Sequence, residues 1–180
     1  MKIDATASLR VWAVTVDLGG QRHRIPPRPA AAWLGAIGSP SLSRIIPGML
    51  EDVEAGEDLL DRILAGEIPV AEWQDAAHDA IATVTGMKWW TASRLTYYLL
   101  DSWSILGGTV LARGLDPAVA PVGAVLTLTY RILLENCKDE AERRKLDLEF
   151  DRPPAGVPIS QMYDPQQASA NFMALADAPG

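Results

Sequence analysis

The chain has little with which to do chemistry. Of its 180 residues one is cysteine, Cys137, and two are histidine, His23 and His78. A single thiol closes no internal disulfide, and one thiol with two imidazoles falls short of the four N and S ligands of a structural zinc site. This usage reads as an intracellular protein without a metal or other cofactor. Long hydrophobic runs are missing as well. The most apolar stretches, 102–112 and 119–130, are closed by Asp101, Arg113 and Arg131, well short of the ~20 residues of a membrane span, and read as buried helices. Asp4 and Arg10 interrupt the apolar stretch that a secretory leader would need. Positive charge is in deficit: 16 Lys and Arg against 23 Asp and Glu leave a net −7, with a pI near 4.8. Neither a nucleic acid backbone nor an anionic membrane is an expected partner of that field.

What is present is a core. A composition of 48% hydrophobic and 22% charged residues is that of one folded domain. Residues 9–25 read as a β-hairpin. Trp12, Val14, Val16 and Leu18 alternate with Val11, Ala13, Thr15 and Asp17, the period of two that gives a strand one buried face. Gly19-Gly20 supplies the positive-φ pair of a two-residue loop, which sets Asp17 opposite Arg22, Val16 opposite His23 and Val14 opposite Ile25. Pro26, Pro27 and Pro29 end the second strand.

From Ala30 the spacing turns helical. Short pieces are predicted over 30–37 and 41–50, the second broken by Pro47-Gly48, then a helix over 57–65 and one from Pro69 through Val84. Over 88–113 the residues Trp89, Ala92, Leu95, Leu99, Trp103, Leu106 and Val110 recur at three and four, predicting one long core helix interrupted at Gly107-Gly108. Asp116-Pro117 is the predicted cap of an apolar helix containing Val122, Val125, Leu126, Thr129 and Leu133, and 139–150 is a charged, solvated helical end. The fold class is therefore mainly α with a small N-terminal β-hairpin (α+β). A hairpin and proline-rich connection occupy 1–29 and a compact helical bundle 30–150. Residues 151–180 form a proline-rich tail, partly disordered and flexible, that orders when it has something to dock on.

Catalytic constellations are scarce. His78 sits in Asp75-Ala76-Ala77-His78-Asp79 with no second histidine four residues away, and reads as a surface helix residue. His23 reads as an exposed or half-buried strand residue. Cys137 follows a helix end beside Glu135 and Asp139, the wrong end of the dipole for a reactive thiolate. Glu51, Asp52, Glu54, Glu57, Asp58 and Asp61 crowd together as acids do in a solvated loop and helix start. The Gly pairs fit neither G-x-G-x-x-G nor the P-loop pattern. An enzyme is not expected.

Six tryptophans stand out. Neighbours on a helix point about 100° apart, so one of Trp89 and Trp90, and one of Tyr97 and Tyr98, lies near the surface. These four are candidate partner-binding residues. Met162, Tyr163, Phe172 and Met173 join them, as apolar groups on a segment too proline-rich to bury them locally.

The order Trp89-Trp90, Arg94-Leu95, Trp103, the turn from Gly107-Gly108 to Asp116-Pro117, the helix closing in Leu134-Glu135-Asn136, the charged 139–150 and Pro153-Pro154-Ala155-Gly156 resembles the tail assembly chaperones of long-tailed (siphovirus-type) phages infecting actinobacteria. The resemblance covers mainly residues 88–157. It implies a non-enzymatic, oligomeric protein of the host cytoplasm, absent from the mature virion. Such a protein binds and solubilises the tape-measure protein, helps recruit tail-tube subunits, and often has a frameshift-extended form. The competing expectation is a structural virion component, a connector or tail-completion protein that closes into a ring.

Overall fold

The structure, a computed structural model, describes residues 13–157. It is mainly helical with an N-terminal two-stranded antiparallel hairpin. Strands β1 (Val14–Leu18) and β2 (Gln21–Ile25) pair in the expected register, Asp17 opposite Arg22 and Val14 opposite Ile25. Gly19 and Gly20 hold φ of 61° and 73°, the left-handed pair that a tight hairpin loop requires. Val14, Val16 and Leu18 face inward while Thr15 and Asp17 face out. The loop is clamped from both sides: Gly19 N donates to Glu72 Oε1 at 2.7 Å, and Arg62 Nη2 donates to the Gly19 carbonyl at 3.1 Å.

Helix α1 (Ala30–Ile37) follows Pro29 and ends at Gly38, and two short 3₁₀ turns, Leu42–Arg44 and Pro47–Met49, replace any continuous helix over 41–50. Helix α2 (Val53–Leu64) starts four residues before the predicted Glu57, because Asp52 is more than one of a crowd of acids. Its carboxylate accepts from Glu54 N at 3.0 Å and Ala55 N at 3.3 Å, an N-cap that satisfies orphan donors of the first turn. Helix α3 (Val70–Thr85) ends on Gly86 in the left-handed conformation.

The predicted long helix is two, α4 (Trp89–Asp101) and α5 (Trp103–Ala112), and the break falls at Ser102 (φ −104°, ψ 29°), not at Gly107-Gly108. Asp101 and Ser102 are weak helix formers, while Gly107 is retained inside α5 because a neighbouring ring needs its space. Helix α6 (Val122–Glu135) begins after Pro121, not at Asp116-Pro117, and residues 116–120 form a turn instead. The carbonyls of that turn serve α1: Ala30 N donates to Ala120 O and Ala31 N to Pro117 O, both at 2.8 Å, which pairs two of the free N–H groups at the start of α1.

Helix α6 is the axis of the body, packing against α1, α3, α4 and α5, with Val125 and Leu126 fully buried beside Leu95, Leu99 and Ile81. The hairpin lies on α3. Helix α7 (Glu140–Asp151) is mostly exposed, as its charge predicts, and packs on α4. Its end is not solvated: Phe150 is fully buried, with its ring 5.5 Å from that of Tyr98 and 5.8 Å from that of Tyr130. Among the described residues no helix is long and apolar enough to cross a membrane.

Candidate functional site

Two features of α4 and α5 organise the surface. The first is a clasp on the end of α7. Thr91 Oγ1 donates to Phe150 O at 2.9 Å, Trp90 Nε1 to Asp151 O at 3.3 Å, and Arg94 Nη1 points at the carbonyls of Glu149, Phe150 and Arg152. Lys88 Nζ reaches Asp151 Oδ1 at 2.7 Å, and Tyr98 OH donates to Glu149 Oε1 at 2.7 Å. The last carbonyls of a helix have no partner within it and carry the negative end of its dipole, so cationic donors suit them. The bond to Glu149 raises the Tyr98 pKa.

This clasp sorts the candidate partner-binding residues. Trp90 is 2% exposed and its indole N–H is spent on α7. Tyr98 is half-buried against Phe150. Trp89 is half-buried and stacks on His78, ring centroids 3.7 Å apart and 5° from parallel. Of the four, Tyr97 alone stands open, at 67% exposure. Met162, Tyr163, Phe172 and Met173 lie outside the described residues.

His78 is therefore half-buried under an indole and not a plain surface residue. Burial pushes its pKa down, against the smaller upward pull of Asp75 and Asp79. Burial likewise raises Asp79, helped by Asp75. Neither His78 Nε2 nor Trp89 Nε1 has a hydrogen-bond partner among the described residues. Cys137 is half-buried, with its Sγ 3.4 Å from the Leu133 carbonyl. Among the described residues no group of three or more His, Cys, Asp or Glu side chains is placed to hold a metal ion.

The second feature is an apolar groove of about 570 Å³ between α1, the α4–α5 corner and the 116–118 turn, lined by Leu34, Gly35, Leu100, Trp103, Leu111 and Pro117. Trp103, expected on the core stripe, is 41% exposed, as is Leu100, and Leu111 is 49% exposed. The cause is the corner at Ser102: a stripe that faces the core along α4 is turned when α5 starts in a new direction, so the spacing from Leu99 to Trp103 no longer reports a shared face. Gly107 completes the arrangement. A Cβ there would lie 2.5 Å from the Trp103 ring, so the missing side chain lets the indole lie flat along its own helix and form one groove wall. The polar group at the rim, Asp116, turns its Oδ1 to Ala118 N at 2.9 Å, leaving the walls without a charged group aimed inward. An apolar surface of this kind is complementary in chemistry to apolar side chains.

Sequence reasoning named the aromatic pairs and missed the groove. The available signal was α5 itself: Trp103, Ile105, Leu106, Val110 and Leu111 spread apolar residues all round a ten-residue helix, more than one buried face accounts for. None of the protein-family models, curated proteins or solved structures compared with the chain matches it.

Proposed function

We propose that the chain is a non-enzymatic tail assembly chaperone of a long-tailed phage, a binding protein that holds the tape-measure protein in solution and helps bring tail-tube subunits to it. The observation that carries this reading is the open apolar groove beside Trp103. The order of motifs over 88–157 adds to it. A long helical client presents apolar residues at three and four, the pattern that enters a groove between helices. Covering the apolar walls of one groove would be worth about 2 kcal/mol before the costs of association. One such contact is modest, so many copies would act along one client, and the net −7 of each copy would keep the assembly dispersed. The chain would act in the host cytoplasm as an oligomer and be absent from the finished particle.

The test is co-expression with the long helical reading frame nearest to its gene, reading the solubility of that protein and the number of copies co-eluting with it. A client that becomes soluble and carries many copies supports the chaperone. A closed ring formed by this chain alone, indifferent to the long protein and retained in purified virions, supports a structural virion component instead.

A further inference from the structure

The groove has an apolar occupant within reach in the same chain. Two stretches lie outside the described residues, 1–12 and 158–180. The first carries Lys2, Asp4 and Arg10 along its length, whereas residues 165–176 hold no charged side chain and include Phe172, Met173 and Leu175. The groove walls are apolar, with the one acid at the rim turned to its own loop. An uncharged segment enters such a site without leaving a charge unpaired, and a charged one does not.

Chain geometry allows the contact. Helix α7 ends in the clasp of Lys88, Trp90, Thr91 and Arg94, and the Arg152 carbonyl still accepts from Arg94. The chain thus passes beside α4 at Arg152, and the far end of that helix supplies Leu100 to the groove. From Arg94 to Leu100 is roughly 9 Å along the helix. The chain from Arg152 to Phe172 extends up to about 66 Å, well beyond that separation, so Phe172 can reach the groove.

We infer that residues 165–176 of the chain dock in its own Trp103 groove, with Phe172, Met173 and Leu175 against Leu100, Trp103 and Leu111. The contact needs no client, so its failure leaves the chaperone reading intact. Its consequence for clients does rest on that reading: a client entering the same groove displaces the tail, and an unloaded copy keeps its apolar wall covered.

Disulfide trapping in the full chain tests this. In a Cys137→Ser background, Leu111→Cys is combined with Phe172→Cys, and mild oxidation is followed on non-reducing gels. Val53→Cys, on the exposed start of α2, combined with Phe172→Cys controls for random collision, and circular dichroism checks that each variant is folded. The expected result is a disulfide within one chain that forms at least tenfold faster for the Leu111 pair than for the Val53 pair. Equal rates, or no disulfide, overturn the inference. A disulfide between two chains also overturns it and assigns the groove to the tail of a second copy. Adding Phe172→Asp to a chain with Leu111→Cys alone gives a readout that does not need cross-linking. Labelling of the introduced groove thiol by a bulky maleimide should speed up severalfold relative to the parent, and an unchanged rate counts against docking.

Discussion

The indole of Trp103 lies against the bare backbone of Gly107, four residues along the same helix, at a separation that no Cβ could share. A glycine that costs α5 about 1 kcal/mol relative to alanine thus makes room for the ring that walls the groove. Gly108, its neighbour, has open space around a Cβ.

The two glycines therefore separate stability from binding. Gly108→Ala should raise stability by up to about 1 kcal/mol and leave binding alone. Gly107→Ala gains the same helical preference but must drive the Trp103 ring away, so its net stability should change by less than about 1 kcal/mol while the groove is lost. Denaturant melts read the first quantity and client pull-down the second. Equal client binding by both variants would show that the ring position does not matter.

Arg94 spans three carbonyls at the end of α7. Arg94→Ala should leave the global fold in place and loosen α7 by about 2 kcal/mol, since hydrogen bonds from a charged donor are each worth roughly 1.5–3 kcal/mol when partly buried. Hydrogen exchange over 140–151 would then accelerate roughly 30-fold, with 122–135 unaffected. Uniform acceleration across both helices would mean that the clasp is part of the main cooperative unit.

Phe150 is the one fully buried side chain of α7. Phe150→Ala should cost about 3–5 kcal/mol, the usual range for an aromatic removed from a packed site, and Phe150→Leu markedly less. A loss under about 1 kcal/mol in urea unfolding would show that the socket between Tyr98 and Tyr130 closes freely.

His78 titrates below its ordinary value of 6.5 because burial under Trp89 disfavours its charged form. The unfolded chain then binds the proton more readily than the folded one, so this residue's contribution to stability is complete above pH 6.5 and is lost as pH falls through that value towards the folded pKa. Asp79 acts with the opposite sign in a lower window. Its raised pKa makes stability fall as pH rises through and above the ordinary 3.8. His78→Phe should flatten the stability profile just below pH 6.5, and NMR should place the imidazole midpoint below 6.5. A midpoint above 6.5 would mean that attraction of the imidazolium to Asp75, Asp79 and the indole face outweighs burial.

The hairpin was legible down to its register, because alternation along Val14–Leu18 and a Gly-Gly loop are local signals that tertiary structure had no cause to override. The helical class was legible for the same reason. Part of what escaped depends on contacts distant in sequence. Phe150 sits in a run of charges, and the rings that bury it, Tyr98 and Tyr130, are 52 and 20 residues away. The Asp52 cap is local, but a crowd of acids gives no sign of which carboxylate turns back onto Glu54 N and Ala55 N. Trp103 fitted the α4 stripe by spacing, and only the corner at Ser102 turns it outward. The groove combines all these limits, since its walls come from α1, α4, α5 and the 116–118 turn.

On the proposed function this groove holds an apolar helical client. The direct measurement is co-expression of the long helical reading frame nearest the gene with either the natural chain or a Trp103→Asp, Leu111→Asp variant whose circular dichroism matches it. A charge placed in the apolar wall should reduce the co-eluting client at least tenfold and return it to the insoluble fraction. Equal recovery with the natural chain and the variant would show that the client does not bind through this groove.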